Sequence, residues 1–157
     1  MAISLNQFAP NVPVAGQYVY IANLPQLHNV IVSASQGTAL KAGAIVKLDS
    51  SATNLDAPVA LQASKTDAVF GVITYNPIKN DFAAGERIAV ARPNDIVWLP
   101  AAGSIAVGAA LGFNSSNQVT ASPSSGDTII GKALTPASAA NDLVQVELGF
   151  SLAESAS

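Results

Sequence analysis

The chain has 157 residues, enough for one domain with a hydrophobic core and short for two. Half of it is apolar but only 11% is charged, the net charge is -3, and the seven Lys and Arg are scattered between Lys41 and Lys132, so no basic patch exists to track a phosphate backbone and no direct contact with nucleic acid is expected. The absence of Cys excludes disulfides, thiolate metal sites and Cys nucleophiles, and no apolar run is long enough for a membrane helix.

The opening MAISLNQFAPN lacks a basic stretch followed by an apolar block, so a signal peptide is not expected. Residues 1–15 hold Phe8, Pro10 and Pro13 with no charged side chain, and read as an extended N-terminal arm that lies against a partner. A Pro-rich segment has little local core for an aromatic to join, which makes Phe8 a candidate anchor in a partner's pocket.

From residue 16 to 150 the chain reads as a single β domain. YVYIANL (18–24) and HNVIVSAS (28–35) are rich in aromatic and β-branched residues and flank an Asn-Leu-Pro-Gln turn. Further short strands fall at 44–48, 59–62, 68–75, 86–91, 96–99, 109–114, 119–121, 128–134 and 143–150, cut by Gly, Pro, Asn and Ser. In NDLVQVELGF, Val144, Val146, Leu148 and Phe150 alternate with Leu143, Gln145, Glu147 and Gly149, and the first set is expected inside. NDIVWLP is apolar on both faces, so Trp98 fills the core or meets a covering segment or subunit. Residues 151–157 are expected to form a flexible tail.

Two phrases recur. LKAGAIVKL (40–48), FAAGERIAV (82–90) and IAVGAALGF (105–113) each place a Gly, at 43, 85 and 108, in a turn that feeds a strand. AVFGVIT (68–74) and TIIGKAL (128–134) put Gly71 and Gly131 in mid-strand, where a bulge or sharp corner is expected. The order repeats over 40–91 and 105–150, which predicts two related halves of one barrel. The fold class is therefore all-β, a compact antiparallel β-barrel or jelly-roll-like sandwich with an extended N-terminal arm.

The sequence offers no constellation of side chains for catalysis. His28 is the only histidine, so no His-based metal cluster forms within one chain, and a surface or interface position is expected for it. The loop carboxylates Asp49, Asp56, Asp67, Asp81, Asp127 and Asp142 sit among Asn, Ser, Thr and Gly, as turn-capping acceptors do. No G-x-S-x-G elbow or phosphate loop is present; the Gly-Lys of IIGKAL lacks both frame and Ser/Thr. No catalytic residue, cofactor or metal is predicted, and the residues expected to meet a partner or a second subunit are Phe8, Pro10, Pro13, Tyr18, Tyr20, His28 and Trp98.

LKAGAIVKL, AVFGVITYN, FAAGERIAVA, VGAALGFNSSNQVTA and TIIGKALTPASAANDLVQVELGF together resemble the small capsid decoration, or cement, proteins of tailed bacteriophages. The resemblance covers residues 40–150 and departs at the first forty, which are longer than the compact family core. It implies a non-enzymatic β-barrel on the outer surface of the phage head, bound to the major capsid protein as a homo-oligomer, a trimer in preference to a dimer. The alternatives are a head-fibre base or tail component of the virion and a carbohydrate-binding module, which needs two coplanar exposed aromatics; an enzyme would need converged carboxylates in a pocket.

Overall fold

In a computed structural model, residues 13–18, 28–54 and 56–153 are described. Among them the structure is all-β, with no helix. Seven strands, β1 (His28–Val32), β2 (Leu40–Lys41), β3 (Ile45–Leu48), β4 (Val59–Gln62), β5 (Gly71–Ile73), β6 (Asp81–Phe82) and β7 (Arg87–Ala91), make the first lobe. Within it β1-β4-β3-β5-β7 close into a barrel, and β2 and β6 pair as a two-stranded ribbon. The second lobe holds β8 (Ile96–Pro100), β9 (Ala110–Phe113), β10 (Val119–Ala121), β11 (Thr128–Ala133) and β12 (Leu143–Leu152), in the order β10-β9-β11-β12-β8.

The two lobes have the same topology. Order β4-β3-β5-β7-β1 in the first matches β10-β9-β11-β12-β8 in the second, strand for strand. Register agrees as well: Gly71 pairs with Val46 as Gly131 pairs with Leu111, and Ile73 pairs with Val90 as Ala133 pairs with Val146. Loop hydrogen bonds repeat in kind. Gly43 N–H donates to Ile73 O at 2.8 Å and Gly108 N–H to Ala133 O at 2.7 Å; Ser33 N–H donates to Ala60 O and Ala102 N–H to Val119 O, both at 2.8 Å. The topology thus repeats from β1 and from β8, earlier than the recurring phrases at 40 and 105 indicate.

Rather than sharing one barrel, the halves fold as two lobes. The first closes through the parallel pair β1–β4, with Ile31 opposite Val59 and Val32 opposite Ala60. The second has only the parallel bridge Ala101–Val119 at the equivalent place. Chemistry explains the difference: Ile31 N–H donates to Pro58 O at 2.8 Å, whereas the residue in register with Ile31 is Pro100, which has no N–H to give.

The first lobe buries its own cluster, with Val30, Val32, Val46, Ile73 and Val90 at its centre. The second buries Val97, Leu99, Leu111, Phe113, Val119, Ile130, Val144, Val146 and Leu148, and this cluster takes in Ile45, Ala63, Val72 and Ala91 from the first. Ile45, Val72 and Ala91 stand side by side across β3, β5 and β7, facing out of their own barrel. One hydrophobic cluster therefore joins the lobes. β12 continues past Phe150 to Leu152, and Ala153 N–H donates to Asp127 O at 2.8 Å, so the strand takes in the first residues of the expected tail.

Candidate functional site

Residues 13–18 lie in the seam between the lobes. Gly16 N–H donates to Trp98 O at 2.8 Å in the second lobe, and its carbonyl accepts from Tyr75 N–H at 3.0 Å in the first. Gly16 is buried with φ +76°, and a Cβ there would strike Ile73 O and come within 2.7 Å of Gly43 N, so only Gly fits. Trp98 N–H donates to Gln17 O at 2.9 Å and Tyr18 bridges Val97, which occupies part of the open edge of β8. The base of the expected arm is thus built into the fold from Pro13 onward.

Of the residues expected to meet a partner, Phe8, Pro10 and Tyr20 lie outside the described residues. Pro13 and Tyr18 are half-buried in the seam, and His28 is exposed at the start of β1. Trp98 is half-buried on the face of β8 opposite Val97 and Leu99. Among the described ones, Tyr18 lines the pocket that holds Tyr75, Phe82 and Arg87, and Pro13, His28 and Trp98 do not. Gly43, Gly85 and Gly108 stand in turns at φ +84°, +85° and +82°. Gly71 and Gly131 have no positive φ; each lets a neighbouring strand approach, since a Cβ on Gly71 would lie 2.7 Å from Ala91 O and one on Gly131 would collide with Glu147 O. A one-residue register shift lies between Ile129 and Gly131.

Several loop carboxylates are occupied by turns. Asp142 accepts from Ser138 N–H and Ala139 N–H at 2.9 Å each, and those backbone donors hold its pKa below the usual carboxylate range. Glu86 is lowered by Lys79 and by Ala83 N–H, Asp67 by Lys47 and Ser64 N–H, and Asp49 by the hydroxyls of Ser33 and Ser51. Groups held ionised in this way have no tendency to act as general acids. Among the described residues no three His, Asp or Glu side chains gather where a metal could sit.

Apolar groups stand out on the rest of the described surface. Ile78 projects from the loop after β5 at 93% exposure, its N–H donating to Asn76 Oδ1 at 2.9 Å. Leu48 is 47% exposed beside a groove of about 540 Å³ whose lining includes Leu61, Val69, Phe70, Lys47 and Asp67. Arg92 closes over Phe70, its guanidinium 4.0 Å from the ring centroid and donating to Phe70 O. Sequence reading missed this groove, because Leu48 continues the alternation of a buried strand and nothing local announces that its end is open.

Comparison with known proteins adds three findings. A family model described as phage cement protein matches residues 26–148. The crystal structure of the head fibre gp8.5 N base of bacteriophage phi29 has a similar fold, with TM-score 0.54 at 15% identity, over 77% of this chain and 91% of that one. A search of curated proteins gave no match.

Proposed function

Because the chain belongs to the phage cement protein family, a structural component of the capsid surface without enzymatic activity, we propose that it binds the assembled phage head and links neighbouring major capsid proteins. The observation that carries this reading is the family match over residues 26–148, which includes strands of both lobes and supports one role for the two together. The surface suits it: few charges, several loop carboxylates already engaged by turns, and projecting apolar groups such as Ile78 that lose little on meeting another protein. Phe8 and the segment before Pro13 are the proposed anchor, with Ile78 as a second contact. Linkage supplies the mechanism, since a ligand that binds only the assembled shell and fills its sites at 100 times its Kd adds about 2.7 kcal/mol per site to that state.

A second reading, the base of a head fibre, draws on the fold likeness to the phi29 fibre base. One experiment separates them. Purified chain is added to heads that lack it, and capsid disruption on heating is followed together with cryo-electron microscopy. A higher disruption temperature, with density bridging adjacent capsid proteins, is the expected result. Density that contacts a single capsomer and leaves stability unchanged selects the fibre base, and absence of binding overturns both.

A further inference from the structure

The seam between the lobes joins two different surfaces, one from each copy of the repeat. The first lobe contributes the outward row Ile45–Val72–Ala91. In the second lobe that row is sealed into the cluster holding Phe113, Ile130 and Leu148. Register assigns each of these its counterpart: the outward row of the second lobe is Ala110–Lys132–Glu147, and the matching end of the first lobe is Leu48, Phe70 and Arg92. Within one chain the first row and the second end are used; the second row and the first end are left over.

We propose that these two leftover surfaces bind each other between copies, the Ala110–Lys132–Glu147 row of one molecule seating on the Leu48–Phe70–Arg92 end of the next. The contact goes beyond the capsid role, since it joins copies of this chain to one another. Exposure favours it: Leu48 is 47% exposed where its counterpart Phe113 is 3%, as expected if the end of the first lobe lacks its cover. So does charge. Where the shared cluster holds Ala91 and Leu148, the contact between copies would set Glu147 against Arg92, and neither takes part in an ion pair among the described residues. Lys132, also unpaired there, would face the rim that carries Asp49 and Asp67. Such a head-to-tail contact has different faces on its two sides, so repetition gives a ring wherever the rotation closes.

The lack of Cys makes the test direct. Leu48→Cys chains and Ala110→Cys chains are oxidised separately and as a mixture, and wild type and Glu147→Lys are compared by sedimentation equilibrium. Cross-linked dimers are expected from the mixture and from neither variant alone. Glu147→Lys is expected to weaken self-association about tenfold, which corresponds to 1.4 kcal/mol, without changing the melting temperature of the monomer. A wild type that stays monomeric at about 100 μM, with no mixed cross-link, overturns the proposal. So does Leu48→Cys cross-linking to itself. Binding of a strictly monomeric chain to heads would leave the cement role standing and remove only this contact.

Discussion

At the scale of single residues, the informative positions are those whose partners lie far away in sequence. Gly16 and Tyr18 sit in a segment that reads as an arm, yet they touch Trp98, Val97 and Tyr75, contacts that no local pattern encodes. Tyr18 is the clearer case, because its hydroxyl is buried without a hydrogen-bond partner, and burial together with the nearby Asp95 carboxylate pushes its pKa up to about 12. An ordinary tyrosine titrates near pH 10, so the proton is held more tightly in the folded state. Stability linked to this group is fully present below about pH 10 and is lost as pH rises toward 12. Tyr18→Phe is therefore expected to match or exceed wild-type stability at pH 7, by up to about 1 kcal/mol, since it removes a buried unpaired hydroxyl. Between pH 10 and pH 12 it should lose less stability than wild type does. Urea unfolding at neutral and alkaline pH checks both; a loss above about 1 kcal/mol at pH 7 would mean that the hydroxyl is satisfied.

Elements were legible where a strand is long enough to alternate and is bounded by Gly, Pro or Asn, as with Val144, Val146 and Leu148 in β12. β2 and β6 have two residues each, too few for any period, and show only as pairing between Leu40–Lys41 and Asp81–Phe82. The repeated topology has a sequence trace in its Gly turns but not in its first strands, since HNVIV and IVWLP share little but apolar character. There one side chain decides how the element closes. Pro100 interrupts the line of donors on β8 that would run alongside β10, and the second lobe keeps a single parallel bridge where the first has a ladder. Pro100→Val restores the missing N–H opposite the backbone of residue 117. Hydrogen exchange should then show a protected amide at position 100 and slower exchange along β10. An amide at 100 that exchanges as fast as the exposed turn at Ser115 and Ser116 would show that something besides the missing donor keeps this edge open.

For the molecule as a whole, two lobes of one topology present different surfaces. The same backbone place carries Val72 in the first lobe, fully buried in the shared cluster, and Lys132 in the second, exposed. Sequence alone could not reveal that asymmetry, because a strand's alternation tells which residues face away from their own barrel and not what lies beyond them. The cluster spanning both lobes makes a definite thermodynamic demand: neither lobe can unfold without exposing Ile45, Val72 and Ala91 or the ends of β9, β11 and β12 that they cover. Calorimetry of the full chain is expected to give one transition with equal calorimetric and van't Hoff enthalpies. Val72→Lys, which copies the second lobe's residue into the first, should cost about 3 to 5 kcal/mol by leaving an unpaired charge in the shared cluster. Lys132→Val, the reverse exchange, should change stability by less than about 0.5 kcal/mol because that surface faces solvent in the isolated chain. Two separate transitions in the wild type, or equal effects of the two exchanges, would mean that the lobes are independent and that the seam contributes nothing to holding them together.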